Sequence, residues 1–211
     1  MNRANDLLNT LHNNIYDNRD YLKLKHLVCD FSSTDGLYEG LFRDYRSDLD
    51  SGRLVYRRFE GFTHWLPSVC HNICLTALKA DIVLKVDADN YTGKGFAKRF
   101  AGLTSETLAL PETAFDHQFS LRGRFGIWQN QFIKLGGYTP LLDAEYGWDD
   151  YEFVFRAILS GLKVVFFPKS HIERRIENPF AQKVMFMKSK RMDVNLRLLE
   201  QLFTKGWLGT I

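Results

Sequence analysis

Hydrophobic residues follow two different periods along the first part of the chain. Leu7, Leu8, Leu11 and Ile15 recur at the spacing of one helix face, and the apolar run at 26–31 that follows has the length of a strand. The same patterns predict helices over 5–16, 36–49 and 67–80, and strands at 26–31, at 53–59 and within 81–90. Strands that alternate with helices indicate βαβ units, with ligands bound at the carboxyl ends of the strands.

The order of elements changes in the second half of the chain. Gly136 and Gly137 stop a short helix, and an acidic first turn with a closing glycine marks a longer one. The predicted elements are antiparallel strands within 113–128, a helix within 130–135, a helix over 148–161, a strand at 162–168, and one long helix or a broken pair over 178–203. The predicted fold class is α/β, with a mixed, mostly parallel sheet flanked by helices.

Composition narrows the class of protein. With 211 residues, 45% of them hydrophobic, the chain can bury one substantial core, so we expect a single domain over 1–211. The dispersed net charge of +3 gives no reason to expect a nucleic-acid partner. A basic cluster, Lys183, Lys188, Lys190 and Arg191, is interpreted as a solvated helix face, with an anionic membrane or partner as the alternative.

No membrane or export segment is visible in the sequence. No run reaches the roughly 18 consecutive apolar residues of a transmembrane span, and the N-terminus lacks the apolar core of a secretion signal. A soluble, cytoplasmic protein is therefore expected. Its three cysteines have no C-x-x-C spacing, so we interpret them as packing residues rather than as a disulfide framework or a zinc site.

Two carboxylates follow a predicted strand in LKVDADN (84–90), with only Ala88 between them. In an extended chain Asp87 and Asp89 point to the same side, where two charges about 5 Å apart repel by roughly 3 kcal/mol at an effective dielectric near 20. A hard dication would offset this repulsion, and Mg²⁺ or Mn²⁺ favours one or two carboxylates together with substrate phosphates. Two solvated aspartates at a strand end are the alternative.

Four segments share their order and approximate spacing with a known family. They are HLVCDFSSTDG (26–36), SVCHNICLTALKADIVLKVDADNYTGKGFA (68–97), KLGGY (134–138) and GWDDYEFVFRAILSGLKV (147–164). Over about residues 26–168 the chain resembles the nucleotide-sugar-dependent glycosyltransferases of the GT-A fold, most of all the family 2-like and galactosyltransferase-like members. It is also similar to glycosyltransferase domains encoded by large algal viruses. The resemblance implies a Rossmann-like GT-A fold, with a nucleotide-binding half over about 1–100 and an acceptor-binding half over about 101–211.

The resemblance implies roles for residues on the donor side. Asp30, Ser32 and Asp35 would lie near the base and ribose, although Phe31 stands where a second acidic residue is common. His71 and Asn72 occupy the places where many relatives carry a basic residue followed by asparagine, which implies a phosphate contact. For His71, a packed and hydrogen-bonded histidine is the alternative.

The resemblance also implies a metal and its ligands. Asp89 would ligate Mn²⁺ or Mg²⁺ directly, and Asp87 would bind the ribose or a metal-bound water. Some relatives use a histidine near His171 as a further metal ligand, and a structural histidine is the alternative there. The donor implied is a nucleotide sugar, with a UDP-sugar expected.

An acidic pair opens the helix predicted at 148–161. Acidic residues at a helix start are favourable partners of its dipole, which by itself explains Asp149 and Asp150. The resemblance instead implies that Asp150 deprotonates an acceptor hydroxyl and that Asp149 orients the acceptor. Glu152 and Arg156, four residues apart, are interpreted as a surface pair.

The implied activity is metal-dependent transfer of a sugar from a nucleotide diphosphate to a hydroxyl of a glycan or glycoprotein acceptor, with inversion by analogy. One alternative is a nucleotidyltransferase that forms the sugar nucleotide. Such enzymes usually carry a glycine-rich basic loop near the N-terminus, and residues 1–25 contain no glycine. The other alternative is a non-catalytic sugar- or partner-binding module of the same fold. Because the family's sheet begins with a strand before the first helix, we expect that strand to be very short or the chain to be part of a larger multidomain protein.

Overall fold

The computed structural model describes residues 1–116, 120–183, 185, 187 and 191–204. The strands are β1 (His26–Phe31), β2 (Leu54–Phe59), β3 (Ile82–Val86), β4 (Thr107–Pro111), β5 (Arg124–Trp128) and β6 (Lys163–Phe167). The helices are α1 (Ala4–Asp17), α2 (Leu37–Asp44), α3 (Arg46–Asp50), α4 (Pro67–Thr76), α5 (Phe96–Arg99), α6 (Gln129–Lys134), α7 (Asp149–Leu159), α8 (Phe180–Lys183) and α9 (Met192–Thr204). Short 3-10 helices lie at Phe100–Gly102, Pro140–Ala144 and Lys169–His171.

The described strands form two sheets. β1 and β2 pair in parallel, with His26 opposite Leu54. The other sheet has the order β3-β5-β4-β6; β5 is antiparallel to both of its neighbours, and β4 is parallel to β6. The mixed α/β class is confirmed, and β5 is one of the antiparallel strands predicted within 113–128. With two parallel and two antiparallel pairs among the described strands, the pairing is more mixed than the apolar runs indicated.

Strand β4 does not stand out in the hydrophobic pattern. Its sequence TLALP contains one β-branched residue and ends in proline, a residue that cannot donate to a ladder. Its burial comes from tertiary contacts instead. Leu108 and Leu110 are fully buried in the main core, because β4 lies between β5 and β6.

The main core lies between the four-stranded sheet and helices α6 and α7. Phe125 of β5, Phe132 of α6, Phe153 of α7 and Tyr138 are all fully buried. Their rings pack in offset contacts, with the centroids of Tyr138 and Phe153 4.9 Å apart. Each such buried ring contributes roughly 2 to 3 kcal/mol of hydrophobic stabilisation. This cluster therefore fixes the start of α7 relative to the end of β3.

A second core joins α1 and α2 to β1 and β2. Leu11 and Ile15 of α1 pack with Val28, Leu41 and Leu54. The helix predicted over 36–49 is broken at Tyr45, which is buried and donates a hydrogen bond of 2.8 Å from its hydroxyl to the Leu8 carbonyl. The break lets this ring reach α1.

The C-terminal part of the described chain is a broken helix pair, α8 and α9. This agrees with one of the two arrangements predicted over 178–203. Lys188 and Lys190 of the predicted basic cluster lie outside the described residues.

Among the residues described, none of the helices combines the length and the apolar character that crossing a bilayer requires.

Glu152 and Arg156 are not a surface pair, so that interpretation is wrong. Their side chains are 2% and 6% exposed, and Arg156 Nε lies 2.6 Å from Glu152 Oε1. The guanidinium also donates to the carbonyl of Leu135 and, at 2.5 Å, to that of Gly137. The left-handed turn after α6 leaves these carbonyls pointing inward, and Arg156 pairs them. The pair therefore fastens α7 to the segment that carries Tyr138.

Replacing Glu152 by glutamine should destabilise the fold by about 3 to 5 kcal/mol, because it leaves a buried guanidinium without its counter-charge. The measurement is the free energy of unfolding from urea denaturation. Asp193→Asn is the matched control, since Asp193 pairs with Arg197 at the same spacing at exposed positions of α9, and its loss should cost much less. Equal losses in the two variants would contradict the structural role of Glu152.

Candidate active site

One cavity of about 1760 Å³ gathers the acidic motifs found in the sequence. Asp87 and Asp89 enter it from the carboxyl end of β3, and Asp149 and Asp150 enter it from the first turn of α7. Lys85 also lines this space. The segments 84–90 and 147–164 therefore meet at one site, as the sequence resemblance implied.

Lys85 is the charge around which the acids are arranged. Its Nζ lies 3.0 Å from Asp87 Oδ1 and 3.4 Å from Asp150 Oδ1, and its side chain is 6% exposed. Burial acts to lower the pKa of the ammonium, but the carboxylates of Asp150, Asp87 and Asp149 raise this pKa above its ordinary value. Lys85 is therefore a cation throughout the neutral pH range.

Asp150 is held from two sides. Its Oδ1 accepts a hydrogen bond of 2.6 Å from the Tyr138 hydroxyl, and the Lys85 ammonium lies beside both of its oxygens. Burial acts to raise the pKa of this carboxyl, but the charge of Lys85 and the hydrogen bonds from Tyr138 and Lys85 hold it below its usual value. Asp150 is therefore ionised at neutral pH and fixed in orientation.

The pKa of Asp149, the adjacent residue, is shifted in the opposite direction. Burial and the negative charge of Asp150 raise the pKa of Asp149 to about 7. Burial and the charge of Lys85 lower the pKa of His71 to about 4, so its imidazole is neutral. The 3.7 Å between His71 Nδ1 and Asp149 Oδ2 is then neither an ion pair nor a hydrogen bond, and Nδ1 has no partner within the described chain.

Three of these groups could hold a metal ion. One ligand atom from each of His71, Asp149 and Asp150 lies within 4.8 Å of the other two. This set includes neither Asp87 nor Asp89. The Lys85 ammonium lies 3.4 Å from Asp150 and 3.0 Å from Asp87, so a dication beside either carboxylate would face this buried positive charge.

Asp87 and Asp89 both line the cavity, but not because they lie on the same side of an extended strand. β3 ends at Val86, and Asp87 opens a turn in which the Asn90 amide donates to the Asp87 carbonyl at 3.1 Å. Asp87 turns toward Lys85, and Asp89 Oδ2 lies 3.1 Å from Arg3 and 3.3 Å from the Asn178 amide. The two carboxylates thus lie beside different cations, Lys85 and Arg3. Burial and the charge of Asp87 raise the pKa of Asp89.

Gly123 leaves the space in which the Asp87 carboxylate lies. Its backbone is left-handed, with φ +68°, and a Cβ there would overlap the carboxylate of Asp87 and the amide of Asn90. The Asp87 amide also donates to the Gly123 carbonyl at 3.1 Å. Gly123 therefore fixes where Asp87 can point.

The residues expected near the base and ribose are occupied by internal contacts, and none of the three lines the cavity. Asp30 is buried and accepts from the Ser33 amide (2.9 Å), the Tyr56 hydroxyl (2.7 Å) and Arg58 (2.7 Å). Ser32 Oγ lies 3.3 Å from the Phe59 carbonyl and accepts from the Phe62 amide at 3.0 Å. Asp35 accepts from the amide of Ala4, the first residue of α1, at 2.7 Å. The structure thus shows these three side chains shaping the loops around the site.

Asn72 and His171 likewise differ from their expected roles. The Asn72 side chain donates to the Tyr138 carbonyl at 2.8 Å and accepts from the Tyr138 amide at 2.7 Å, so it holds the backbone of Tyr138 rather than a phosphate. His171 is buried, with Nδ1 2.7 Å from the Thr92 carbonyl and Nε2 accepting from Arg99 at 2.8 Å. Both ring nitrogens are engaged, so His171 is a packed histidine here and not a free metal ligand.

Sequence reasoning gave Lys85 and Tyr138 no chemical role, although both hold Asp150. A signal for Lys85 was present, since it lies two residues before Asp87 and shares its side of an extended strand. Tyr138 was noted only within the GGY segment. Its partner, Asp150, is brought near by the packing of α7, which no local pattern indicates.

Comparison with known proteins identifies the fold. No protein-family model and no curated protein matches the chain in sequence. A mannosyltransferase from Pyrobaculum calidifontis, determined with GDP-Man and Mn²⁺, is 16% identical with a TM-score of 0.64, over 98% of this chain and 67% of that one. GalNAc-T7, determined with UDP, GalNAc and Mn²⁺, is 16% identical with a TM-score of 0.57, over 82% of this chain and 42% of that one. The chain therefore has the GT-A fold, as the sequence resemblance implied.

The raised pKa of Asp149 predicts a pH dependence of stability. The folded state keeps a proton that the unfolded state loses near pH 4, so Asp149 lowers the stability progressively from about pH 4 to about pH 7. Asp149→Asn should therefore be more stable than the parent at pH 8, by on the order of 1 kcal/mol or more, with the gain vanishing near pH 4. Urea denaturation across this range measures it.

Asp20→Asn, which removes a carboxylate at an exposed position, is the control for the substitution and is measured over the same pH range. A stability gain for Asp149→Asn that is independent of pH would contradict the predicted titration.

Proposed function

We propose that the chain is a metal-dependent glycosyltransferase that moves a sugar from a nucleotide diphosphate, expected to be UDP, to an acceptor hydroxyl. The observation that supports this most is the meeting of two acidic pairs, Asp87 with Asp89 and Asp149 with Asp150, in one cavity of a GT-A fold. In this proposal residues of about 1–100 bind the donor, and residues of about 101–211 bind a glycan or glycoprotein acceptor. The mannosyltransferase and GalNAc-T7 structures described above contain Mn²⁺ and a nucleotide or nucleotide sugar.

The donor side fits a hard dication and a diphosphate. Asp87 and Asp89 supply carboxylate oxygens, and Asn178 places an amide next to Asp89. A dication held by Asp89, with Asp87, would supply charge to stabilise the leaving diphosphate. Asp89, whose burial disfavours its charge, would gain a stronger counter-ion than the shared Arg3, which also pairs with Asp6 at 2.5 Å.

On the acceptor side, Asp150 is the proposed base. It is ionised and held by Tyr138 and Lys85, so it can accept a proton without first losing one. The Lys85 ammonium lies between this base, at 3.4 Å, and the donor-side Asp87, at 3.0 Å. Asp149 and Trp148 line the same cavity, and in this proposal they orient the acceptor. Single displacement with inversion is proposed by analogy with the family that the sequence resembles.

Asp89→Ala should remove metal-dependent donor binding. Calorimetric titration of UDP- and GDP-sugars, with and without Mn²⁺, measures the effect. In the parent we expect one donor class to bind at least about tenfold tighter with Mn²⁺ present, and in Asp89→Ala this gain should disappear because the carboxylate ligand is gone.

Asp193→Ala removes an exposed carboxylate from α9 and should leave donor binding unchanged. If no nucleotide sugar binds the parent better with Mn²⁺, or if Asp89→Ala keeps the gain, the proposed donor site is wrong.

Asp150→Asn should leave donor affinity within about twofold of the parent while transfer falls by about 10²- to 10⁴-fold, because the amide cannot take the acceptor proton. Transfer is measured as nucleotide release with a panel of oligosaccharide acceptors, and donor affinity is measured by calorimetry. Asp193→Asn is the control for the loss of one carboxylate. Unchanged turnover in Asp150→Asn would remove Asp150 from the reaction.

A further inference from the structure

One arginine without a part in the proposed reaction is buried behind the donor side of the cavity. Arg124 is the first residue of β5, and its side chain is the largest among the fully buried side chains of the described residues. It does not line the cavity. Burial deprives a guanidinium of its hydration, so its donors and its charge must be matched by groups of the protein. The contacts of Arg124 therefore indicate its role.

Arg124 joins three segments of backbone around the proposed metal site. One terminal nitrogen donates to the Arg122 carbonyl at 2.8 Å. The other donates to the Tyr91 carbonyl at 2.8 Å and to the Arg174 carbonyl at 2.9 Å. A guanidinium is planar and carries several N–H donors, so that one side chain can pair three carbonyls from different directions.

Two of these segments hold Asp89. We name the turn 87–91 the acidic turn and residues 174–178 the flanking segment. The Ile176 amide of the flanking segment donates to the Asp89 carbonyl at 2.7 Å, and the Asn178 side chain lies 3.3 Å from Asp89 Oδ2. Because Arg124 donates to a carbonyl of each segment, it fastens the acidic turn to the segment that contacts its carboxylate.

The third segment holds Asp87. The backbone of Arg122 is left-handed, with φ +47°, a conformation that residues other than glycine adopt at some cost. The Arg122 carbonyl accepts from the Asn90 side chain at 2.8 Å as well as from Arg124. These two hydrogen bonds hold the backbone immediately before Gly123, the residue that fixes where Asp87 can point.

The charge of Arg124 is matched by the same two aspartates. Its Nε has no hydrogen-bond partner in the described part of the chain. Burial, together with the charges of Arg175 and Arg122, lowers the pKa of Arg124 to about 10, while the carboxylates of Asp87 and Asp89 act to raise this pKa. Arg124 is therefore a cation at neutral pH that attracts the proposed metal ligands from behind.

We propose that Arg124 is a positioning residue for the metal site, which joins the three segments and so holds Asp87 and Asp89 in place before a metal binds. This inference rests on the proposed function, since the metal ligands are those proposed there. Arg124 contacts neither metal nor donor and acts through the acidic turn. The alternative is that the metal itself orders the segments.

Arg124→Lys tests this role. Lysine keeps the positive charge, but a single ammonium on a flexible stem cannot pair all three carbonyls. We expect the affinity for Mn²⁺ to fall by about tenfold or more, as for the loss of other groups that orient metal ligands. The affinity is measured by titrating the protein with Mn²⁺ alone and following the electron paramagnetic resonance signal of the free ion, and urea denaturation confirms that the variant is folded.

Arg156→Lys is the matched control. Arg156 is also buried and also donates to two backbone carbonyls, those of Leu135 and Gly137, but these lie on the acceptor side. This variant should lose stability while its Mn²⁺ affinity stays within about twofold of the parent, because the two regions are independent. An equal fall in affinity in both variants, or an unchanged affinity in Arg124→Lys, would overturn this inference and leave the proposed donor site intact. A parent that does not bind Mn²⁺ would overturn both.

The parent protein gives a second test, which stays decisive if Arg124→Lys does not fold. Three amide hydrogen bonds join the segments: Asp87 to Gly123, Tyr91 to Arg174 and Ile176 to Asp89. Hydrogen exchange at these amides is followed by mass spectrometry with and without saturating Mn²⁺. We expect the metal to slow exchange by less than about threefold, because the segments are already joined without it. Any larger slowing would show that the metal orders the site, and would overturn the proposal.

Discussion

The site depends on one buried ammonium among carboxylates. Lys85 Nζ lies within 3.4 Å of both Asp87 and Asp150, and it connects the end of β3 to the first turn of α7. Without that charge, Asp87, Asp149 and Asp150 would repel one another in a cavity where burial and the charge of Asp150 already raise the pKa of Asp149. The position of Lys85 on a strand, rather than on a loop, keeps the two acidic pairs at a fixed separation.

A second group of buried polar side chains holds the frame around this charge. Asn72 of α4 binds both backbone groups of Tyr138, and Arg156 of α7 binds the carbonyl of the preceding Gly137. The Tyr138 hydroxyl then reaches Asp150. Two helices and one turn are thus joined through a single tyrosine, so that a substitution distant from the cavity can still move the proposed base.

The sequence predicted the elements of the fold better than their pairing or the partners of the site residues. Periodicity located β1, α4 and α7 because the spacing of apolar residues within each segment marks its buried face. The segment TLALP, by contrast, forms a strand only because it pairs with β5 and β6. The meeting of the two acidic pairs was predicted by resemblance. The engagement of Asn72 and His171 by backbone carbonyls was not, because such contacts depend on segments distant in sequence. The buried Glu152 shows the same limit, since helical spacing predicts that Glu152 pairs with Arg156 but not that the pair is buried.

Gly123 carries a consequence for comparing this chain with distant homologues. The hydrogen that serves as its side chain borders the Asp87 carboxylate, so the two positions form one geometric unit although they lie far apart in sequence. In a divergent homologue that keeps an acid at the position of Asp87, the position of Gly123 should admit no residue larger than glycine. Where a bulkier residue has entered there, the acid should have been lost or its strand end rebuilt. Coordinated replacement at these two positions would therefore distinguish chains that retain this site from chains that retain only the scaffold.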